Sequence, residues 1–148
     1  MVFTAIPNPP VPDLVDGRNR AIGGNLRQYL SSQGKKMADT VRALALAHTI
    51  AAPAYGATVQ LDLSQGGIHH VQATDGNNFT IAAPKNPTQL ATWTLSVDNQ
   101  SGGAMGTVTF DSSIQQTGFT APGAGQRTTA SFYISGATHY QKSPWVTV

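Results

Sequence analysis

From residue 57 onward apolar and polar residues alternate with a period of two, the mark of strands with one buried face. Val59, Leu61 and Leu63 alternate with Gln60 and Asp62, and Gln65, Gly66 and Gly67 then supply a turn. Ile68 to Ala73 reads as a second strand, closed by Asp75, Gly76, Asn77 and Asn78. Phe79 and Ile81 mark a third, before a loop at Pro84 and Pro87. Trp93, Leu95 and Val97 face one way, and Thr92, Thr94 and Ser96 the other. A polar turn over 100–103 leads to Met105, Val108 and Phe110. A looser stretch around Ile114 and Phe119 runs into Pro122, Gly123, Ala124 and Gly125. Ala130, Phe132 and Ile134 then point inward against Thr129, Ser131 and Tyr133. Short strands at 138–141 and 145–148 finish the chain. About eight strands at turn spacings near ten residues predict an antiparallel, jelly-roll-like β-sandwich over residues 57–148.

The front of the chain follows other rules. Residues 1–24 hold Pro7, Pro9, Pro10 and Pro12, which fix φ and disfavour helix in the residues before them. This predicts an extended arm that lies along a neighbour through Val2, Phe3, Ile6, Val11 and Leu14. The competing reading, a disordered tail, fits less well because such tails are usually poorer in apolar residues. Residues 25–56 carry a short α-helix and a linker. Asn25 caps a first turn bearing Leu26, Tyr29 and Leu30, and Ser32 is expected to cap a second, stronger helix from about Lys35. Met37, Val41, Leu44 and His48 recur at helical spacing on one face. At under two heptads this helix is too short to stand alone. It packs through Met37, Val41 and Leu44, either on the β module or on copies of itself, and Pro53 and Gly56 end it.

Composition narrows the function classes. The 148 residues include no cysteine, which excludes disulfides, thiolate metal sites and cysteine nucleophiles. All seven acids are aspartates, and only 11% of residues are charged, a low figure that suits life within an assembly. The net charge of +2 hides an asymmetry. Residues 1–50 hold six bases against three acids, and the remainder holds three bases against four. The bases are spread without interleaved aromatics, which argues against nucleic acid as a partner. The opening residues lack the basic and apolar regions of a secretory signal, and no apolar run nears the ~20 residues that span a membrane. A soluble protein made in a cytoplasm is expected.

The candidate chemistry is thin. His69 and His70 are adjacent on a strand, so their side chains point to opposite faces and do not readily share a metal. Asp75, Asp98 and Asp111 sit at turns or strand ends, where an aspartate satisfies local backbone donors. No nucleophile elbow and no phosphate loop occurs. Neither a catalytic residue nor a cofactor or metal is therefore expected. Tyr133, Tyr140 and Trp145 form a candidate surface-binding set, with capping of the core at a sheet edge as the plainer alternative.

The stretch from Leu61 to Trp145 resembles a β module of tailed-bacteriophage virion structural proteins. The residues that carry this are WTLSVDNQSGGAMGTVTF, with its Ser-Gly-Gly turn, then FTAPGAGQRTTASFYI and the last strand with Trp145. The resemblance covers a little over half of the chain. It implies a non-enzymatic, commonly trimeric virion component of the capsid-decoration or head- or tail-fibre type, attached through its N-terminal segment. Its partners would be itself and other virion proteins, such as the major capsid protein or a fibre or collar component, with no membrane involved. The rival reading is a module that binds a glycan on the host surface.

Overall fold

The computed structural model describes residues 17–87 and 90–148, with backbone alone over 17–23. The arm contacts Val2, Phe3, Ile6, Val11 and Leu14 lie outside the described residues. The chain divides after Val41 into two compact units.

One helix, α1, runs from Gly17 to Ala47 without a break. It starts earlier than Asn25 and passes through Ser31, Ser32 and Gly34. The physical reason is visible at Ser32. Its hydroxyl donates back to the Tyr29 carbonyl at 2.7 Å instead of accepting from a new first turn. Thr40 does the same to Lys36 at 2.8 Å. The helix ends before Pro53, because the chain enters strand β1 (Ile50–Ala51) first.

The second unit is mainly β, as its alternation predicts. Its strands are β1, β2 (Thr58–Val59), β3 (Ile68–Ala73), β4 (Phe79–Ile81), β5 (Thr92–Asn99), β6 (Val108–Phe110), β7 (Ile114–Gln115), β8 (Arg127–Ser135), β9 (Thr138–Gln141) and β10 (Val146–Thr147). The pairings differ from the expected antiparallel jelly roll. β1, β3 and β5 are parallel neighbours in one sheet, and β2, β4 and β6 are parallel neighbours in another. The chain alternates between the two sheets, so each strand pairs with the strand one coil later. This is the winding of a short β-solenoid. The last part is antiparallel: β8 pairs with β5 on one side and with β9 and β10 on the other, while β9 also takes β7 in parallel.

The correction has a simple cause. The polar clusters turn corners between sheets and do not close hairpins. Asp75 accepts the Asn77 amide at 2.9 Å, and Asp62 and Asp111 accept the amides of Ser64 and Ser113 at the same distance. Asn99 accepts the Ser101 amide at 3.1 Å. Between corners, Val59, Ile81, Leu95, Val97, Trp93 and Phe132 from both sheets fill one core. Trp93 stacks on Phe132, with ring centres 4.6 Å apart. Met105, Val108, Phe110 and Phe119 pack partly buried against it.

Candidate functional site

The outward face of the seven-stranded sheet concentrates the candidate side chains. Register sets its rows. Ile68 pairs with Thr94, His70 with Ser96 and Gln72 with Asp98; across β8, Thr94 meets Ser131, Ser96 meets Thr129 and Asp98 meets Arg127. The middle rows are bridged hydroxyl to hydroxyl, Thr94 to Ser131 at 3.1 Å and Ser96 to Thr129 at 2.8 Å.

One end of this face is charged. Arg127 grips Asp98 with two donors, Nε to Oδ1 at 2.5 Å and Nη2 to Oδ2 at 3.0 Å. His70 Nε2 lies 2.5 Å from Asp98 Oδ2. Burial opposes the charge on Asp98, but Arg127 and His70 outweigh it and hold the carboxyl below its ordinary range. Asp98 thus serves side chains from β3 and β8 rather than a local turn, unlike Asp75 and Asp111. Ser, His and Asp side chains meet here, but the Ser96 hydroxyl bonds to Thr129 and the carboxylate is tied to arginine. That is the bonding of a cross-strand clamp.

The other end is aromatic. Tyr133 and Tyr140 face each other across β8 and β9, with ring centres 5.2 Å apart and planes 19° apart. They are 43% and 38% exposed. Trp145 is not with them. It lies half-buried among Phe110, Phe119 and Phe132, and its Nε1 donates to Gln116 Oε1 at 3.2 Å. The expected platform therefore loses one of its three members: Trp145 precedes β10 and faces the core cluster. The helix residues Met37, Val41 and Leu44 are 69%, 65% and 61% exposed.

The buried histidines are opposites in bonding. His139 Nδ1 accepts from Trp93 Nε1 at 3.1 Å, which places the ring proton on Nε2. His69 has no hydrogen-bond partner on either ring nitrogen, although it borders a depression of 260 Å³ beside Ile50, Pro53, Gln60 and Asp62. His70, on the opposite face, is at the clamp. Among the described residues no three His, Cys, Asp or Glu side chains gather as a metal would require.

Burial pushes both His69 and His139 below the ordinary imidazole value, outweighing the Gly66 backbone and Asp62 charge that oppose it at His69 and the Asp111 charge at His139. The unfolded chain then binds protons near pH 6.5 that the folded protein refuses. Stability is therefore full above that value and falls as the pH drops through it. We expect the Tm to decline between pH 7.5 and 5, and the decline to shrink when His69 and His139 are both replaced by Gln. A flat profile across that window would contradict this assignment.

Comparison with known proteins is negative on every side. No family model, no curated protein and no solved structure gives a significant match to the chain.

Proposed function

We propose that the chain is a non-enzymatic virion structural protein of a tailed bacteriophage, which assembles with copies of itself and attaches through its N-terminal segment. It decorates or cements the capsid, or forms part of a fibre or collar. The observation that carries this reading is the surface of α1. Leu26, Tyr29, Leu30, Met37, Val41 and Leu44 are each between 54% and 69% exposed. Leu30, Met37 and Leu44 recur every seven residues, and Leu26 occupies the second seam position of the preceding heptad, where Gln33 and Thr40 follow in the next two.

A helix so built needs a partner. Gly24 and Gly34 lie within it, and each costs about 1 kcal/mol relative to alanine. Its first turn has no acid and its last turn no base. Packing must supply what propensity lacks, and a seam from Leu26 to Leu44, roughly 27 Å long, suits a parallel bundle of identical helices. Three strands are our choice, by the resemblance to trimeric virion modules. The arm residues Val2, Phe3, Ile6, Val11 and Leu14 would then meet the major capsid protein or a fibre or collar component. The clamp chemistry at Asp98 and the hydroxyl bridging of Ser96 support the non-enzymatic part of the reading.

The test is the mass of the full-length protein by light scattering. We expect a trimer, and a monomer for the Leu30→Glu/Met37→Glu variant with the near-ultraviolet signature of Trp93 retained. A monomeric parent protein would end the reading.

A further inference from the structure

The Tyr133–Tyr140 pair is part of a longer arrangement. Register places Thr92 opposite Tyr133, Tyr133 opposite Tyr140, and Gln115 beside Tyr140. The result is one row of four side chains across β5, β8, β9 and β7, ordered hydroxyl, ring, ring, amide. All four residues are exposed. Neighbouring strands are about 4.8 Å apart, so the row spans about 14 Å, the length of roughly two or three pyranose rings.

The tyrosines use nothing they present. Tyr55 shows how a committed tyrosine behaves in this fold: its hydroxyl donates to Asp75 at 2.7 Å, and burial together with that carboxylate pushes its pKa to about 12. The hydroxyls of Tyr133 and Tyr140 make no hydrogen bond to the protein among the described residues. Each ring covers one face of the other, so the pair presents its two outer faces and two hydroxyls to solvent, held nearly parallel by the sheet. Tyrosine supplies rigid, amphipathic contact area at low conformational cost, and pre-stacked rings lose still less on binding.

The chemistry of the row selects its ligand. An aromatic face takes the C–H face of a sugar ring, and the flanking Thr92 hydroxyl and Gln115 Oε1 take its hydroxyls, the Gln115 amide nitrogen being bonded to the Ser112 carbonyl at 2.6 Å. No charged residue belongs to the row, because Asp98 and Arg127 sit at the opposite ends of β5 and β8. The adjoining row, Thr94 and Ser131, is polar and bonded to itself, so the pair is not the centre of an apolar seam. We infer that Thr92, Tyr133, Tyr140 and Gln115 form a binding track for a neutral oligosaccharide. This goes beyond the assembly reading and does not depend on it.

The experiment uses the full-length protein and a panel of neutral trisaccharides built on glucose, galactose, mannose and N-acetylglucosamine, measured by saturation-transfer NMR and calorimetry. At least one is expected to bind, with transfer concentrated on its C–H protons. The Tyr133→Ala/Tyr140→Ala variant is expected to lose about tenfold or more in affinity, with the solution mass unchanged and the Tm lowered by a few degrees as the stacked pair is lost. Absence of binding by the whole panel overturns the inference, as does binding that survives the double variant. A drop in solution mass for that variant also overturns it, since the pair would then be a subunit seam. That last outcome leaves the assembly reading standing, whereas a monomeric parent protein that still binds sugar would remove assembly alone.

Discussion

Replacing Trp93 with alanine is expected to cost about 3–5 kcal/mol and to lower the Tm by well over roughly 10 °C. Trp93 is 2% exposed and has the largest side chain of the core. It stacks on Phe132, and both buried histidines approach its edge, His139 with ring centres 5.6 Å away and His69 at 6.2 Å. Its indole nitrogen also gives His139 its hydrogen bond. Alanine would leave a cavity beside Phe132 and strip His139 Nδ1 of its donor. Trp93→Phe separates these effects, since the ring is largely kept and the donor lost. It should cost about 1–3 kcal/mol. Chemical denaturation of both variants gives the two values, and a Trp93→Phe protein as stable as the parent would show that the hydrogen bond carries nothing.

Gly67→Ala is the second large effect. A Cβ on Gly67 would lie 2.4 Å from the Ala47 carbonyl oxygen and 2.8 Å from its carbon. Those are backbone atoms at the end of α1, so no side-chain rotation relieves the contact. The Gly67 amide also donates to the Leu46 carbonyl at 2.8 Å, and the Gly67 carbonyl accepts from Thr94 at 2.8 Å. The residue therefore joins the helix end to the first turn of the sheet. We expect a loss at or above the upper end of the roughly 1–3 kcal/mol typical of overpacking. Gly103→Ala is the control, because nothing lies within 4 Å of its added carbon. A Gly67→Ala protein as stable as the control would mean that the helix end moves freely.

Much of this was legible in the alternation. Trp93, Leu95, Val97, Ala130 and Phe132 are buried as the period of two predicts, and Tyr133 faces out. What the alternation lacks is direction: a period of two is the same in parallel and antiparallel strands. Turn residues were equally ambiguous, because aspartate and glycine serve a solenoid corner as well as a hairpin. The helix was underestimated because Ser32 can cap a helix or bond back along one, and only the second occurs here. The charged clamp was missed for another reason. His70, Asp98 and Arg127 come from three strands, and no local motif joins them. A trace was present, since Asp98 has the parity of Thr94 and Ser96, and Arg127 that of Thr129 and Ser131. The tyrosines were visible singly, but their stacking depends on the Tyr133–Tyr140 register of β8 and β9.

The coiled winding of the second unit also governs how such a chain can change in size. Thr58 pairs with Thr80 and Thr80 with Thr109, so successive coils already differ in length while their rungs stay aligned. The surplus is taken up at the corners, where the side-chain Oδ1 atoms of Asp62, Asp75, Asn99 and Asp111 accept the backbone amide two residues on. An inserted residue at a corner leaves every rung in phase, whereas one placed inside β5 would turn Leu95 and Val97 toward water. Divergence in this module is therefore free to accumulate at four hinges of one kind, with the tyrosine row and the clamp carried unchanged on the rungs between them.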